Sequence, residues 1–257
     1  MSDKTIVVIT GANTGIGYEA IKAFLTATKP YQIFVGGRSP EKVESAIGSF
    51  GSTGIHTLIP FQLDLLSDES IGAAYAKISS EVDHIDVLIN NAGAATNTPT
   101  SRATLLQDYN VNVAGTYVVT ETFLPLLIKS SNPRLLFLTS GLSSQEEAGQ
   151  KDSPRYVNPP AGWPKPPGPM FLSYRTSKTA LNMIMIDFDR LLKNDGVKVW
   201  CISPGMLATN LGGDKELLKR LGAEDPYLGG DFIKNVVEGA RDSDTGKVVR
   251  RDEIQRW

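Results

Sequence analysis

The stretch Thr10-Gly11-Ala12-Asn13-Thr14-Gly15-Ile16-Gly17 decides the fold. Before it runs Ile6-Val7-Val8-Ile9-Thr10, a β-branched segment of the kind that fills a strand buried on both faces of a parallel sheet. After it, Ile16, Ala20, Ile21, Phe24 and Leu25 recur at helical spacing. The glycines therefore sit on a strand-to-helix turn. Glycine there permits a tight turn, close approach of a phosphate, and close packing of helix on strand. The helix N-terminus directs unpaired N–H groups and the positive end of its dipole at an anion. A glycine-rich string alone also fits a plain tight turn. Its place at the end of a strand, heading a chain that alternates strand and helix, points to a dinucleotide site.

A chain of 257 residues, 41% of them hydrophobic, can build one large α/β domain or two small ones. The net charge of −2, without a cluster of Lys or Arg, argues against nucleic acid or an acidic membrane as partner. Cys201, the one cysteine, lies in an apolar strand-like run and cannot form an internal disulfide, so a reducing compartment, the cytoplasm, is expected. Met1-Ser2-Asp3-Lys4 leads directly into the first strand, so no signal peptide is expected. No apolar run approaches the roughly 20 residues that span a bilayer. His56 and His84 have no partner pattern and read as structural, and no metal-ligand spacing occurs.

A second strand spans Tyr31 to Val35 and runs into Gly36-Gly37-Arg38. In dinucleotide folds an acid about 20 residues past the glycines holds the ribose 2′-hydroxyl, and an arginine nearby accepts a 2′-phosphate instead. Gly37 lies 20 residues past Gly17 and takes the acid's place. Loss of the carboxylate removes repulsion, and Arg38 offers a fork of donors. The plain alternative is a solvated arginine at a strand end. Ser39-Pro40-Glu41 opens a helix with a cap, a proline at its first position and an acid near the dipole's positive end. A third strand, about 56–63, ends at Asp64, where the adenine of a dinucleotide can lie. Ser67 caps a helix to about Ser80. The fourth strand, about 86–89, runs into Asn90-Asn91-Ala92-Gly93. Small residues there let a flat ligand lie on the backbone, while Asn side chains donate and accept at once to bridge loops. Asn-Asn-Ala-Gly is also an ordinary turn.

A helical stretch covers about 102–129 and contains Asn110-Val111-Asn112-Val113-Ala114-Gly115. Asn and Gly in mid-helix each cost from a few tenths to about 1 kcal/mol, and such local costs often mark a working position. Strand five, about 135–139, ends in Ser140. Between Gly141 and Pro169 the chain turns proline-rich and loses apolar periodicity, which reads as a long loop, because the α/β pattern resumes directly after it. The resumption is Ser173-Tyr174-Arg175-Thr176-Ser177-Lys178, opening a helix to about Leu192. Tyr174 and Lys178 are four apart and share a face, either as a working pair or as a plain helix-surface pair. Strand six, about 197–202, leads into Ser203-Pro204-Gly205-Met206-Leu207-Ala208-Thr209. Two short helices, about 215–221 and 228–240, and a last strand near 247–250 complete the chain.

With these motifs in this order, the chain resembles the short-chain dehydrogenase/reductase family over about residues 5 to 250. The resemblance implies a single Rossmann-type domain over 1–257: α/β, with a doubly wound seven-stranded parallel sheet. It implies a catalytic set of Asn112, Ser140, Tyr174 and Lys178. It also implies a dinucleotide held by Gly11, Asn13, Thr14, Gly15, Ile16, Gly17, Arg38, Asp64, Leu65, Asn91, Ala92, Gly93, Tyr174, Lys178, Pro204, Gly205, Leu207 and Thr209. With Gly37 and Arg38 at the ribose, that cofactor is NADPH. In the roles the resemblance implies, Tyr174 gives a proton to a ketone or aldehyde oxygen and Ser140 bonds that oxygen. Lys178 holds the nicotinamide ribose and lowers the tyrosine's pKa, Asn112 holds a water linking Lys178 to solvent, and Thr209 bonds the carboxamide.

The departure from the family pattern is the 34 residues from Ser140 to Tyr174, where relatives commonly have a little over a dozen. This insertion, 141–170, resembles that of monomeric carbonyl reductases. It is expected to cover the helices that pair across a dimer axis in the family, favouring a monomer over a homodimer or tetramer. A mobile loop with neither role is the alternative. Trp163, Met170 and Phe171, with Met206, Leu207 and Tyr227, suggest a pocket for a bulky, largely apolar carbonyl compound. Reduction of C=N or C=C bonds, or a non-catalytic NADP-binding regulator, remain as other functions.

Overall fold

Seven short segments rich in β-branched, leucine or aromatic residues form the strands. They are β1 (Thr5–Ile9), β2 (Tyr31–Gly37), β3 (Thr57–Gln62), β4 (Val87–Asn90), β5 (Arg134–Leu138), β6 (Lys198–Ile202) and β7 (Val248–Val249). The computed structural model describes residues 4–153, 156, 158–165 and 171–257. The strands make one all-parallel sheet in the order β3-β2-β1-β4-β5-β6-β7. This is the doubly wound Rossmann-type arrangement expected from the sequence. Alternate residues along each strand enter opposite layers. Val8, Leu88, Leu135 and Phe137 join the core on one face, and Val7, Ile9, Ile89 and Leu136 join the core on the other.

The helices cover both faces. On one lie α1 (Gly15–Leu25), α2 (Pro40–Gly48) and α9 (Tyr227–Val237), feeding Ile21, Phe24, Val43, Phe232 and Ile233 into the core. On the other lie α3 (Asp68–Glu81), α4 (Arg102–Tyr109), α5 (Thr116–Leu127) and α7 (Leu172–Leu191), feeding Ile71, Phe123, Leu181 and Phe188. Two small helices, α6 (Gln145–Gly149) and α8 (Lys215–Arg220), stand at the periphery. Ser39 and Ser67 cap α2 and α3 by accepting from Lys42 N and Ser70 N, as their sequence positions suggest. Strand order reverses between β1 and β4, and the cleft that opens at their carboxyl ends is where such sheets take ligands.

Two expectations change. The long helix about 102–129 is interrupted, with residues Asn110–Gly115 winding as a π-helical turn between α4 and α5. Gly115 explains the sequence there, since a Cβ on it would lie 2.2 Å from the Leu65 carbonyl oxygen. The insertion is not wholly a loop. It begins with a 3-10 turn, Gly141–Ser143, capped by Ser140, and continues into α6, capped by Ser144. Nor does its described part shield the outer faces of α5 and α7, where Tyr117, Met183 and Leu191 are exposed. Met170 and Pro169 lie outside the described residues.

Candidate active site

The β1–α1 turn and the segment after β4 are laced together. Thr10 Oγ1 accepts from the Asn91 and Ala92 backbone N–H groups at 3.1 and 2.9 Å. Asn91 Nδ2 donates to the carbonyls of Thr10 and Gly11 at 2.8 and 2.9 Å. Gly11 (φ +62°) sits so close to the neighbouring loop that its Cβ would fall 2.8 Å from Ala92 Cα. Thr14, at the N-cap of α1, makes no side-chain cap, and the first turn of α1 carries no acid. That helix N-terminus is therefore electropositive with its N–H groups free, which suits a pyrophosphate.

The cleft between these segments encloses about 390 Å³. Of the residues named from sequence, it is lined by Gly11, Asn13, Thr14, Gly15, Ile16, Arg38, Asp64, Leu65, Asn91, Ala92, Gly93, Tyr174, Lys178, Pro204 and Thr209. Gly37 lines it too, and a Cβ there would meet Val43 Cγ2 at 2.6 Å and Asn13 Oδ1 at 3.0 Å, so an acid does not fit. Arg38 is exposed, and among the described residues its guanidinium makes no hydrogen bond or ion pair. Asp64 Oδ1 accepts from Leu66 N at 3.0 Å, leaving its other oxygen open to the cleft. Three named residues stand back from the cleft. Gly17 packs under Asn91, with its Cβ position 2.5 Å from Nδ2; Gly205 faces Arg251 and Glu224; Leu207 is buried against Gly229.

The catalytic candidates converge at one end. Lys178, on α7, is buried and donates from Nζ to the Leu138 carbonyl at 2.7 Å, with the ammonium 5.8 Å from the centre of the Tyr174 ring. Ser140 lies beside Tyr174, near enough for its hydroxyl to hold the phenol's pKa down. Ser140 and Asn112 lie just behind the cleft wall. Asn112 is fully buried in the π-helical turn: Oδ1 accepts from Ala94 N at 2.8 Å, and Nδ2 donates to Ala94 O at 2.8 Å and Ser177 Oγ at 2.9 Å. Its side chain thus holds the wall of the cleft.

Burial dominates the electrostatics of the Tyr174 and Lys178 pair. Burial pushes the Tyr174 phenol up to about 12, against a lowering by the neighbouring Ser140 hydroxyl and with a further rise from the Asp108 carboxylate. Burial likewise pulls Lys178 down to about 8.

The apolar pocket reading also changes. Trp163 is 87% exposed, Met206 is exposed, and Tyr227 turns its ring toward Lys22 on α1. The apolar residues that line the cleft include Ala94, Val111 and Leu211. Sequence reading missed Asp108, fully buried on α4, which accepts from Thr96 N and Thr96 Oγ1 (2.8 Å) and so fixes the segment after Gly93. Its position one turn before Asn112 was the available signal. Also missed was a buried network that joins Thr139 and Ser143 to Asn182 and Gln255, both far away in sequence. Among the described residues no three His, Cys, Asp or Glu side chains come together to hold a metal, and no helix is long and apolar enough to cross a membrane.

Comparison with known proteins agrees with this geometry. The family model described as short chain dehydrogenase matches residues 5–152. The short-chain dehydrogenase/reductase eupG of a Phoma species is 44% identical, over 99% of this chain and 98% of its own. Its counterpart tropE of Talaromyces stipitatus is 41% identical over the same shares. Among solved structures, the NADPH-bound carbonyl reductase from chicken fatty liver superposes with a TM-score of 0.78 at 22% identity, covering 99% of each chain. Carbonyl reductase Sniffer of D. melanogaster gives 0.78 at 21%, again over 99% of each. At that identity the structures speak to the fold.

Proposed function

This chain belongs to the short-chain dehydrogenase/reductase family of oxidoreductases, and from that premise we propose that it is an NADPH-dependent reductase of ketones or aldehydes with Tyr174 as proton donor. The observation that carries the reading is that Tyr174 and Lys178 line one cleft with the glycine-rich turn, the ammonium 5.8 Å from the centre of the phenol ring. Reducing a carbonyl needs a hydride and an acid for the developing alkoxide. NADPH, when bound, supplies the hydride; every other requirement falls to the chain. A phenol whose pKa is about 12 keeps its proton at neutral pH, so Tyr174 is loaded as an acid, the form that reduction requires. Ser140 supplies a second donor to the alkoxide, as an oxyanion hole does. Lys178 lies one turn along α7, placed to hold the nicotinamide ribose, and Thr209 to bond the carboxamide.

The residues present fit a 2′-phosphorylated dinucleotide. The free N–H groups of α1 suit the pyrophosphate, the packed Gly37 leaves no room for an acid, and Arg38 is a cation without a partner among the described residues. Gly17, Gly205 and Leu207 act by shaping the turns that carry the contacts rather than by touching the cofactor. Ala94, Val111 and Leu211 favour an apolar small molecule on the substrate side. The buried, unpaired Cys201 suits a reducing cytoplasm.

The test is consumption of NADPH with a panel of ketones and aldehydes, set beside imines and activated alkenes. Turnover with carbonyl compounds is expected. Turnover confined to imines or alkenes would move the reading to C=N or C=C reduction. Tight NADPH binding without turnover of any class would point to a regulator.

A further inference from the structure

After β7 the chain turns back on itself. Arg250 N donates to Glu253 O at 2.8 Å, Val249 and Ile254 form an antiparallel bridge, and Gln255 N donates to Val248 O at 2.9 Å. This return carries Gln255 beneath the segment that begins with Ser140. Its side chain is 2% exposed. Burying a primary amide is unfavourable by about 2–7 kcal/mol unless its groups are paired, and here both ends are. Oε1 accepts from Arg250 Nε at 3.3 Å. Nε2 donates to the Ser140 carbonyl at 3.2 Å and to Ser143 Oγ at 3.0 Å.

The amide has one sensible orientation. Arg250 offers only donors, so the carbonyl end must face it and the NH₂ end must face Ser140. Arg250 is itself fixed, since NH2 grips both oxygens of Glu147 on α6 at 2.6 and 2.7 Å. The Ser140 carbonyl therefore takes three donors: Ser143 N at 3.0 Å, Ser143 Oγ at 2.6 Å and Gln255 Nε2. Ser143 Oγ is in turn held by Asn182 Nδ2 at 2.9 Å, from α7. A peptide carbonyl pinned by three donors fixes the plane of that peptide, and with it the direction of the Ser140 side chain.

Resting on the reading of Ser140 and Tyr174 as the reacting pair, we propose that Gln255 is a positioning residue: its buried amide sets the Ser140 peptide, and so the line along which the Ser140 hydroxyl meets Tyr174. It touches neither cofactor nor substrate. A displacement of about 1 Å in such a constellation costs up to ~10²-fold in rate, so partial loosening of Ser140 should cost about tenfold.

The experiment is a double-mutant cycle with a structural readout. Gln255→Leu removes the donors. Gln255→Glu keeps the size, turns acceptors toward the Ser140 carbonyl, and serves if the leucine variant fails to fold. Each should lower kcat about tenfold while the NADPH Kd stays within about twofold, because the cofactor contacts are untouched. In a Ser140→Ala background the same changes should cost less than about twofold, because the group they position is gone. Equal losses in both backgrounds would show a general structural effect and overturn the proposal, as would an undiminished kcat. Hydrogen exchange of residues 140–149 should quicken in either variant with the sheet unchanged; unchanged exchange there also overturns it. If the unmodified protein reduces no carbonyl compound, the reading of the site has failed, and the exchange experiment still decides whether Gln255 holds the segment. If it does reduce them and the variants match it, the positioning role alone has failed.

Discussion

Removing the Arg38 guanidinium isolates cofactor choice, because among the described residues this side chain holds nothing else in place. Only its backbone is used, the carbonyl accepting from Gln62 Nε2 at 3.3 Å. Arg38→Ala should therefore leave thermal stability within the ±0.5 kcal/mol usual for a surface change. A hydrogen bond to a charged group contributes about 1.5–3 kcal/mol. Arg38 is exposed, so water and salt screen it toward the lower part of that range. Taking about 1.5–2 kcal/mol, NADPH should bind about 10- to 30-fold more weakly in the variant. NADH lacks the 2′-phosphate and should be affected less than about twofold by the same reasoning. The assay is kcat/KM for each dinucleotide at fixed carbonyl substrate, repeated at low and high ionic strength. The unmodified protein's preference for NADPH should shrink as salt rises, because the contact is at the surface. If Arg38→Ala weakens both dinucleotides equally, or leaves the preference intact, the guanidinium is not the phosphate's partner.

Gly37→Asp should not yield an NADH enzyme. Its Cβ would meet Val43 Cγ2 at 2.6 Å, so NADPH use should fall and NADH use should rise only when Val43→Ala is added, as steady-state rates would show. Gly115→Ala drives a Cβ to 2.2 Å from the Leu65 carbonyl oxygen, a backbone atom that cannot step aside. Calorimetry should find a loss beyond the roughly 1–3 kcal/mol of ordinary overpacking, along with weaker cofactor binding. Lys178 is pulled by burial from an ordinary 10.5 to about 8, so the folded, cofactor-free protein binds fewer protons than the unfolded chain between those values. That lysine's contribution is fully favourable above pH 10.5 and is lost as pH falls through about 8, a penalty of roughly 3 kcal/mol near neutrality. Lys178→Met should then raise the unfolding midpoint at pH 7 by a few degrees after the lost Leu138 contact is offset. The gain should shrink as pH rises from 8 to 10.5. A gain that does not change with pH would mean the lysine is not desolvated in this way.

Most of the fold was legible because its signals are local. The β-branched runs, the serine caps of α2 and α3 and the glycines of the first turn each announce themselves within a few residues. The positions of Arg38, Tyr174 and Lys178 followed from spacing along single elements. What escaped were features set by contacts between distant segments. The π-helical turn at Asn110–Gly115 depends on Leu65 pressing against Gly115. The commitment of Lys178 to Leu138 depends on the register of α7 against β5, which no periodicity reports. Desolvation of Tyr174 is a property of the assembled site, and a tyrosine–lysine spacing of four reads the same whether the pair is buried or not. Tyr227 was misassigned because its apolar character says nothing of which side of the sheet α9 packs on.

The role of Tyr174 is tested most directly by single-turnover reduction of a carbonyl substrate with NADPH deuterated at the transferred position, comparing the unmodified protein with Tyr174→Phe. The substitution keeps the ring and removes only the hydroxyl. The unmodified protein should deliver deuterium to the carbinol carbon. The variant should bind NADPH with unchanged Kd and transfer at least about 10²-fold more slowly, the loss typical of a missing general acid. Transfer by the variant within a few-fold of the unmodified rate would contradict the proton-donor role.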